Sequence, residues 1–316
     1  MLFRSGIMAS GRTGKDTDIE YSLNTKHPYR VFFKSGWSNL IRLMAVNALY
    51  LIFNVPAIIW SYFFAIVFVP VLAPVMHWDS FITIMSENGN TEVSYQLYML
   101  LVIFFVNALV ASGLMSIGPF QAGFARVYKG IRDGSSCSLF ADFKTGMKEN
   151  WKRSLVTMVI GIVITAILLL AVSFYLNLGG YLGIIIGCVF GILFFAFILV
   201  QNFVYQMMVS TDLKLGKIYK NAILFVLLRF GPCLGVALVV ILFFFIIPFV
   251  LLMSASYLTL GLFLFLYSFV VIAWVQYYLS FFTGRLIDKY VTVGKKDDLS
   301  PDNELELNSE DDENHD

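Results

Sequence analysis

Groups able to do chemistry are the first thing to look for: nucleophiles, bases, paired carboxylates and metal ligands. Ser112-Gly113, following Val110-Ala111, has the outline of an intramembrane serine nucleophile. A serine needs a base within reach, however, and His27, His77 and His315 all lie outside the apolar stretches. No Asp or Glu falls within those stretches, which removes an aspartyl dyad and a carboxylate proton relay. Gly11, Gly14, Lys15 and Asp16 are spaced somewhat like a phosphate loop, without its first glycine, its Ser/Thr after lysine or a preceding strand. His77-Trp78-Asp79 supplies too few ligands for a metal site. Cys137, Cys188 and Cys233 form neither a disulfide scaffold nor a zinc spacing. No catalytic residue, cofactor or metal is expected, and the chain reads as a non-enzyme.

The polar residues inside the apolar stretches are all neutral: Asn47, Asn54, Asn107, Gln201, Asn202 and Gln276. Buried amides join helices in lipid at roughly 0.6–2 kcal/mol each. They can also line a route for uncharged solutes through discontinuous helices. Both readings stay open for Asn47, Asn54, Asn107 and Gln276. Asn47 and Asn54, seven residues apart, share a helix face beside Pro56. Gly179, Gly183, Gly187 and Gly191 recur every four residues, forming a smooth groove for a neighbouring helix. The short turn before this helix makes the preceding span its antiparallel partner, with Gly183 expected near Ser173 and Gly191 near Thr165.

These residues must be positioned by a membrane fold. The chain has 316 residues, is 59% hydrophobic and 14% charged, and has a mean hydropathy of +0.78. That leaves too little polar surface to coat a water-soluble globule. Runs near 40–69, 94–117, 155–176, 181–203, 232–253 and 256–282 are each long enough for the roughly 20 residues of a crossing. Every Lys and Arg except Arg42 falls in residues 1–39, 118–154, 204–231 or 283–316, and the alternate loops 70–93, 177–180 and 254–255 have none. By the positive-inside rule this is an all-α polytopic membrane protein of about six transmembrane helices, with both termini cytoplasmic. The run 40–69 reads as one span kinked near Pro56; 57–76 is its extension or an interfacial or re-entrant segment.

Three polar regions complete the domain plan. Residues 1–39 form a cytoplasmic N-terminal segment with no cleavable apolar leader. Within 118–154, Leu139, Phe140, Phe143, Met147 and Trp151 recur at helical spacing, with Lys144, Lys148 and Lys152 on another face. Such a helix lies along the inner leaflet, lysines toward anionic headgroups, as a linker or as a docking surface for a partner. The transmembrane domain ends near residue 283. Residues 284–316 form a cytoplasmic acidic tail, with ten acids in 297–316 and composition expected to leave it disordered. Nothing points to nucleic acid.

Gly118-Pro119-Phe120-Gln121-Ala122-Gly123-Phe124, then Arg126 to Gly130, Phe140-Ala141-Asp142-Phe143 and Lys148-Glu149-Asn150-Trp151-Lys152 resemble the signature of the YesL-like family of bacterial membrane proteins. Asn47 with Pro56, and Lys220-Asn221-Ala222, are similar to weaker boxes of that family. The resemblance covers roughly residues 30–290. It implies a multi-span protein of the bacterial cell membrane associated with carbohydrate uptake and utilisation, and it supplies no catalytic residues. The expected function is a non-enzymatic accessory or regulatory component, with carbohydrate-transporter subunits as partners. The alternative is a transporter or channel for a sugar or oligosaccharide.

Overall fold

The computed structural model describes residues 28–72, 83, 91–134, 138–254 and 256–288. The phosphate-loop-like residues, the His77 and Asp79 pair, Cys137 and the acidic tail lie outside the described residues. Every described element is helical: α1 Pro28–Ser38, α2 Leu40–Phe53, α3 Val55–Leu72, α4 Thr91–Ala111, α5 Gly118–Arg132, α6 Leu139–Glu149 and α7 Trp151–Leu178. These are followed by α8 Gly180–Ser210, α9 Leu215–Leu228, α10 Phe230–Ile241, a π-turn Leu242–Ile246, α11 Ile247–Met253, α12 Tyr257–Phe269 and α13 Val271–Ile287.

Three helices, 151–178, 180–210 and 231–253, are long and apolar enough to cross a membrane, and five if two bent pairs each count once. Those pairs are α1–α2, bent by 75°, and α12–α13, bent by 47°. The apolar helices within α3 and α4 are shorter. Asn54 interrupts the 40–69 run, so its kink is a break between two helices, with Pro56 in the first turn of α3. There its missing N–H costs nothing, because a first-turn donor has no intrahelical partner. Pro248 has a different effect. It cannot donate to the carbonyl five residues back, and the freed Phe243 carbonyl accepts from the Tyr267 hydroxyl beside the π-turn.

Burial divides the bundle lengthwise. Tyr181 and Tyr257, at the starts of α8 and α12, are 91% and 94% exposed, and large apolar residues stay exposed along those ends. Towards the other end every residue of α8 from Phe197 to Val209 is buried, as is most of α13. The difference is α5, which carries Gly118, Ala122, Gly123 and Ala125 and packs against α6, α7, α8 and α13. Its C-terminal charges mark this end: Arg132 reaches Asp133 at 2.8 Å and Asp288 at 3.0 Å, and Lys129 donates to the Val209 carbonyl. Burial pushes the Asp288 carboxyl above its usual range and the Lys129 amine below its own; Arg132 and Asp133 respectively oppose these shifts.

Close packing here depends on small residues. The buried face of α7 is Ser154, Thr157, Gly161, Thr165, Leu169 and Ser173, all but one of them small. A side chain at Gly118 would run into the Ser154 carbonyl, and one at Gly123 into Phe143. One at Gly146 would meet Ala122 and Arg126. These contacts let α5, α6 and the start of α7 pack with their backbones close together. Gly183 and Gly187 also approach α7 closely, so that a side chain at Gly183 would run into the Tyr175 carbonyl and one at Gly187 into the Leu176 side chain. Gly191 faces open space, and Gly179 with Gly180 forms the turn at φ +72° and +67°. The hairpin register is therefore not the expected one: Gly183 meets Tyr175, while the Ser173 hydroxyl donates to the Val71 carbonyl of α3.

Candidate functional site

The polar centre of the bundle is built around three interruptions of helical backbone. A helix that stops leaves its last carbonyls without donors, and inside a membrane water does not supply them. The first interruption lies between α12 and α13. Asn47 on α2, itself fully buried, donates to the Tyr267 and Ser268 carbonyls at 2.9 and 2.7 Å and accepts from the Ala273 N–H at 2.7 Å. One amide thus replaces helical bonds on both sides of a 47° bend. At the second break Asn54 donates back to the Tyr50 carbonyl and accepts from the Ile117 N–H at 3.0 Å.

The third and largest interruption is residues 112–117, between α4 and α5, with Gly113 at φ +81°. The end of α4 is satisfied by donors from across the bundle. The Tyr50 hydroxyl donates to the Val110 carbonyl at 2.7 Å, and Gln276 of α13 to Ala111 at 2.7 Å. Asn202 of α8 donates to Ser112 at 3.1 Å. Local amides close the rest, Ser112 to Ala108, Gly113 to Val110 and Met115 to Leu109. Ser116 bridges the Gly113 carbonyl and Gln121, and Gln201 links the Thr157 carbonyl to the Tyr219 hydroxyl. Ser112 points its hydroxyl at the Leu109 carbonyl, which occupies it as a donor. These side chains are amides and hydroxyls, so they can hold a discontinuous backbone or a neutral polar molecule.

Four buried polar atoms have no hydrogen-bond partner among the described residues: Asn107 Nδ2, Thr165 Oγ1 and the hydroxyls of Tyr128 and Tyr205. The neutral residues singled out by sequence therefore fall into two groups. Asn47, Asn54 and Gln276 converge on helix breaks, and Asn107 does not. A cleft of 410 Å³ opens between α1, α8, α10 and α13, and none of the four lines it.

The amphipathic 139–151 stretch is divided at Asn150, which separates α6 from α7. Phe143 is buried against Phe53, with ring centroids 4.7 Å apart, and against Phe124, so it is no part of an exposed interface. Phe140 and Trp151 are exposed, as are Lys148 and Lys152, while Met147 is half-buried. Two features were missed. Helix α1 lies within the segment assigned to a polar N-terminus, although Pro28, Phe32 and Gly36 carried the signal of a helix start followed by four-residue spacing. Phe32 stacks on Tyr277, and Trp274 covers Gly36. Burial of α5 was the second, legible only in its glycines and alanines. No protein-family model, curated protein or solved structure matches the chain.

Proposed function

We propose that the chain is a multi-pass protein of the bacterial cell membrane that crosses six times, with both termini cytoplasmic. The crossings are α2 with α3, then α4, α7, α8, α10 with α11, and α12 with α13. The asymmetry of basic residues supports this orientation, together with the gathering of Arg132, Asp288, Lys129 and Arg229 at the densely packed end. Its role is that of a non-enzymatic accessory or regulatory component beside a carbohydrate-uptake system. The observation that carries the non-transport reading is the use made of the amides. Asn47, Asn54, Gln276 and Asn202 are bonded to backbone at or beside helix breaks, Gln201 is bonded to the Thr157 carbonyl within α7, and none of the five lines the cleft. The exposed Phe140, Trp151, Lys148 and Lys152 supply a surface for transporter subunits and anionic headgroups. The carbohydrate connection rests on the YesL-like resemblance. Affinity capture of the intact protein from its native membrane, followed by mass spectrometry, tests it. Repeated recovery of carbohydrate-transporter subunits is expected; recovery of intact protein without them refutes it.

A specific observation favours a second reading, a transporter or channel for a sugar or oligosaccharide. The buried hydroxyls of Tyr128 and Tyr205 have no partner among the described residues, and discontinuous helices with unpaired neutral donors suit an uncharged solute. Uptake of labelled sugars into proteoliposomes, lost in a Tyr128→Phe, Tyr205→Phe double variant, would favour it.

A further inference from the structure

We propose that the cleft between α1, α8, α10 and α13 binds one anionic phospholipid, with its phosphate between Arg229 and Arg285 and an acyl chain along α8 and α10. The cleft's 410 Å³ lies within the roughly 300–1,000 Å³ of small-molecule sites. Its lining changes character along its length. Arg229 sits at the junction of α9 and α10, Arg285 in the last turn of α13, and Tyr29 in the first turn of α1. Val236 lies seven residues beyond Arg229 on α10, about 10 Å deeper at 1.5 Å per residue. Leu199 and Phe203 of α8 join it there, both buried.

The two ends ask for different chemistry. Arg229 and Arg285 both line the shallow end, so two guanidinium groups border the cleft there. Guanidinium groups bind phosphate oxygens with paired, charge-assisted bonds. The deep end has no use for a charge. Leu227 and Leu228, next to Arg229, are 67% and 76% exposed, as expected where lipid tails give way to headgroups. A soluble phosphate leaves the apolar half unfilled, and a zwitterionic lipid brings a second cation to two arginines. An anionic phospholipid satisfies both halves. The inference needs only the membrane setting and stands whether or not the accessory reading does.

Native mass spectrometry of the full chain in detergent tests it, with phosphatidylglycerol, phosphatidylcholine and inorganic phosphate as probes. One phosphatidylglycerol should be retained about tenfold more strongly than phosphatidylcholine, and inorganic phosphate should not displace it. Arg229→Gln with Arg285→Gln should weaken retention by roughly tenfold or more. Val236→Trp, which fills the deep end and leaves the charges in place, should abolish it. Equal retention of the two lipids, undiminished retention in either variant, or displacement by inorganic phosphate overturns the proposal; the last would make this an anion site only. Should the double arginine variant fail to fold, Val236→Trp and the probe comparison still decide.

Discussion

Replacing Asn47 by leucine, which keeps the bulk and removes the amide, should destabilise the protein by about 2–5 kcal/mol. Asn47 makes three hydrogen bonds at 2.7–2.9 Å from a fully buried position, so the variant strands the Tyr267 and Ser268 carbonyls and the Ala273 N–H. Interhelical bonds in membranes are worth about 0.6 kcal/mol on average and up to about 2. Three of them set the lower bound. A buried polar group left unpaired costs about 1–3 kcal/mol, and relaxation of the bend lets some of the three find helical partners, which sets the upper. Asn47→Asp should be no better, because it keeps the acceptor for Ala273 but turns a carboxylate towards two carbonyls. The control is Asn107→Leu, whose Nδ2 has no partner to lose and which should change stability by less than about 0.5 kcal/mol. Reversible SDS unfolding in mixed micelles, followed by tryptophan fluorescence, measures all three. Asn47→Leu within about 0.5 kcal/mol of the parent, or Asn107→Leu equally damaging, would refute the reasoning.

The same assay separates the tyrosines. Tyr50→Phe strands the Val110 carbonyl from this donor and should cost about 1–2 kcal/mol, whereas Tyr128→Phe and Tyr205→Phe remove unpaired hydroxyls and should be neutral or stabilising. Along α8, Gly183→Leu should impair folding most, because its neighbour is a backbone carbonyl. Gly187→Leu, against a movable leucine, should do so less, and Gly191→Leu should leave thermal stability in detergent unchanged. Asp288 adds a pH dependence. Because its folded pKa is raised, the folded state takes up this proton before the unfolded state does. Stability relative to Asp288→Asn should therefore rise as pH falls through the raised value towards about 4, and level off below the unfolded pKa. A constant or falling difference over that range would contradict the assignment.

What could be read from sequence was the chemistry of single residues more than their company. A neutral amide in an apolar run must find a partner, and Asn47 does, but its partners lie 220 or more residues away across a bend that hydropathy does not register. Asn54 and Pro56 marked the break in the first apolar run because proline fits the first turn of a helix, where its missing N–H has no partner to lose. Helix α5 was harder. Arg126, Lys129 and Arg132 make it look like a surface element, while Gly118, Ala122, Gly123 and Ala125 let it pass between α6, α7 and α8. Phe143 shows the same ambiguity: an aromatic on an amphipathic helix can face a partner or the protein's own core, and here Phe53 and Phe124 already cover it. The small face of α7 repeats every four residues, as the glycines of α8 do, yet its serines and threonines hide the pattern from a search for glycine.

Whether the central amides hold backbone or line a wet pathway is decided most directly by hydrogen–deuterium exchange of the full chain in lipid nanodiscs. The Ile117 and Ala273 amides donate to Asn54 and Asn47, and Met115 donates to Leu109 within the interruption itself. If the interruptions are closed by these bonds, all three should exchange as slowly as the buried helical amides of α8 between Phe197 and Val209. Exchange at 112–117 and 270–273 as fast as at the exposed turn around Gly179 would mean that water reaches the breaks, and a solute pathway would replace the accessory reading.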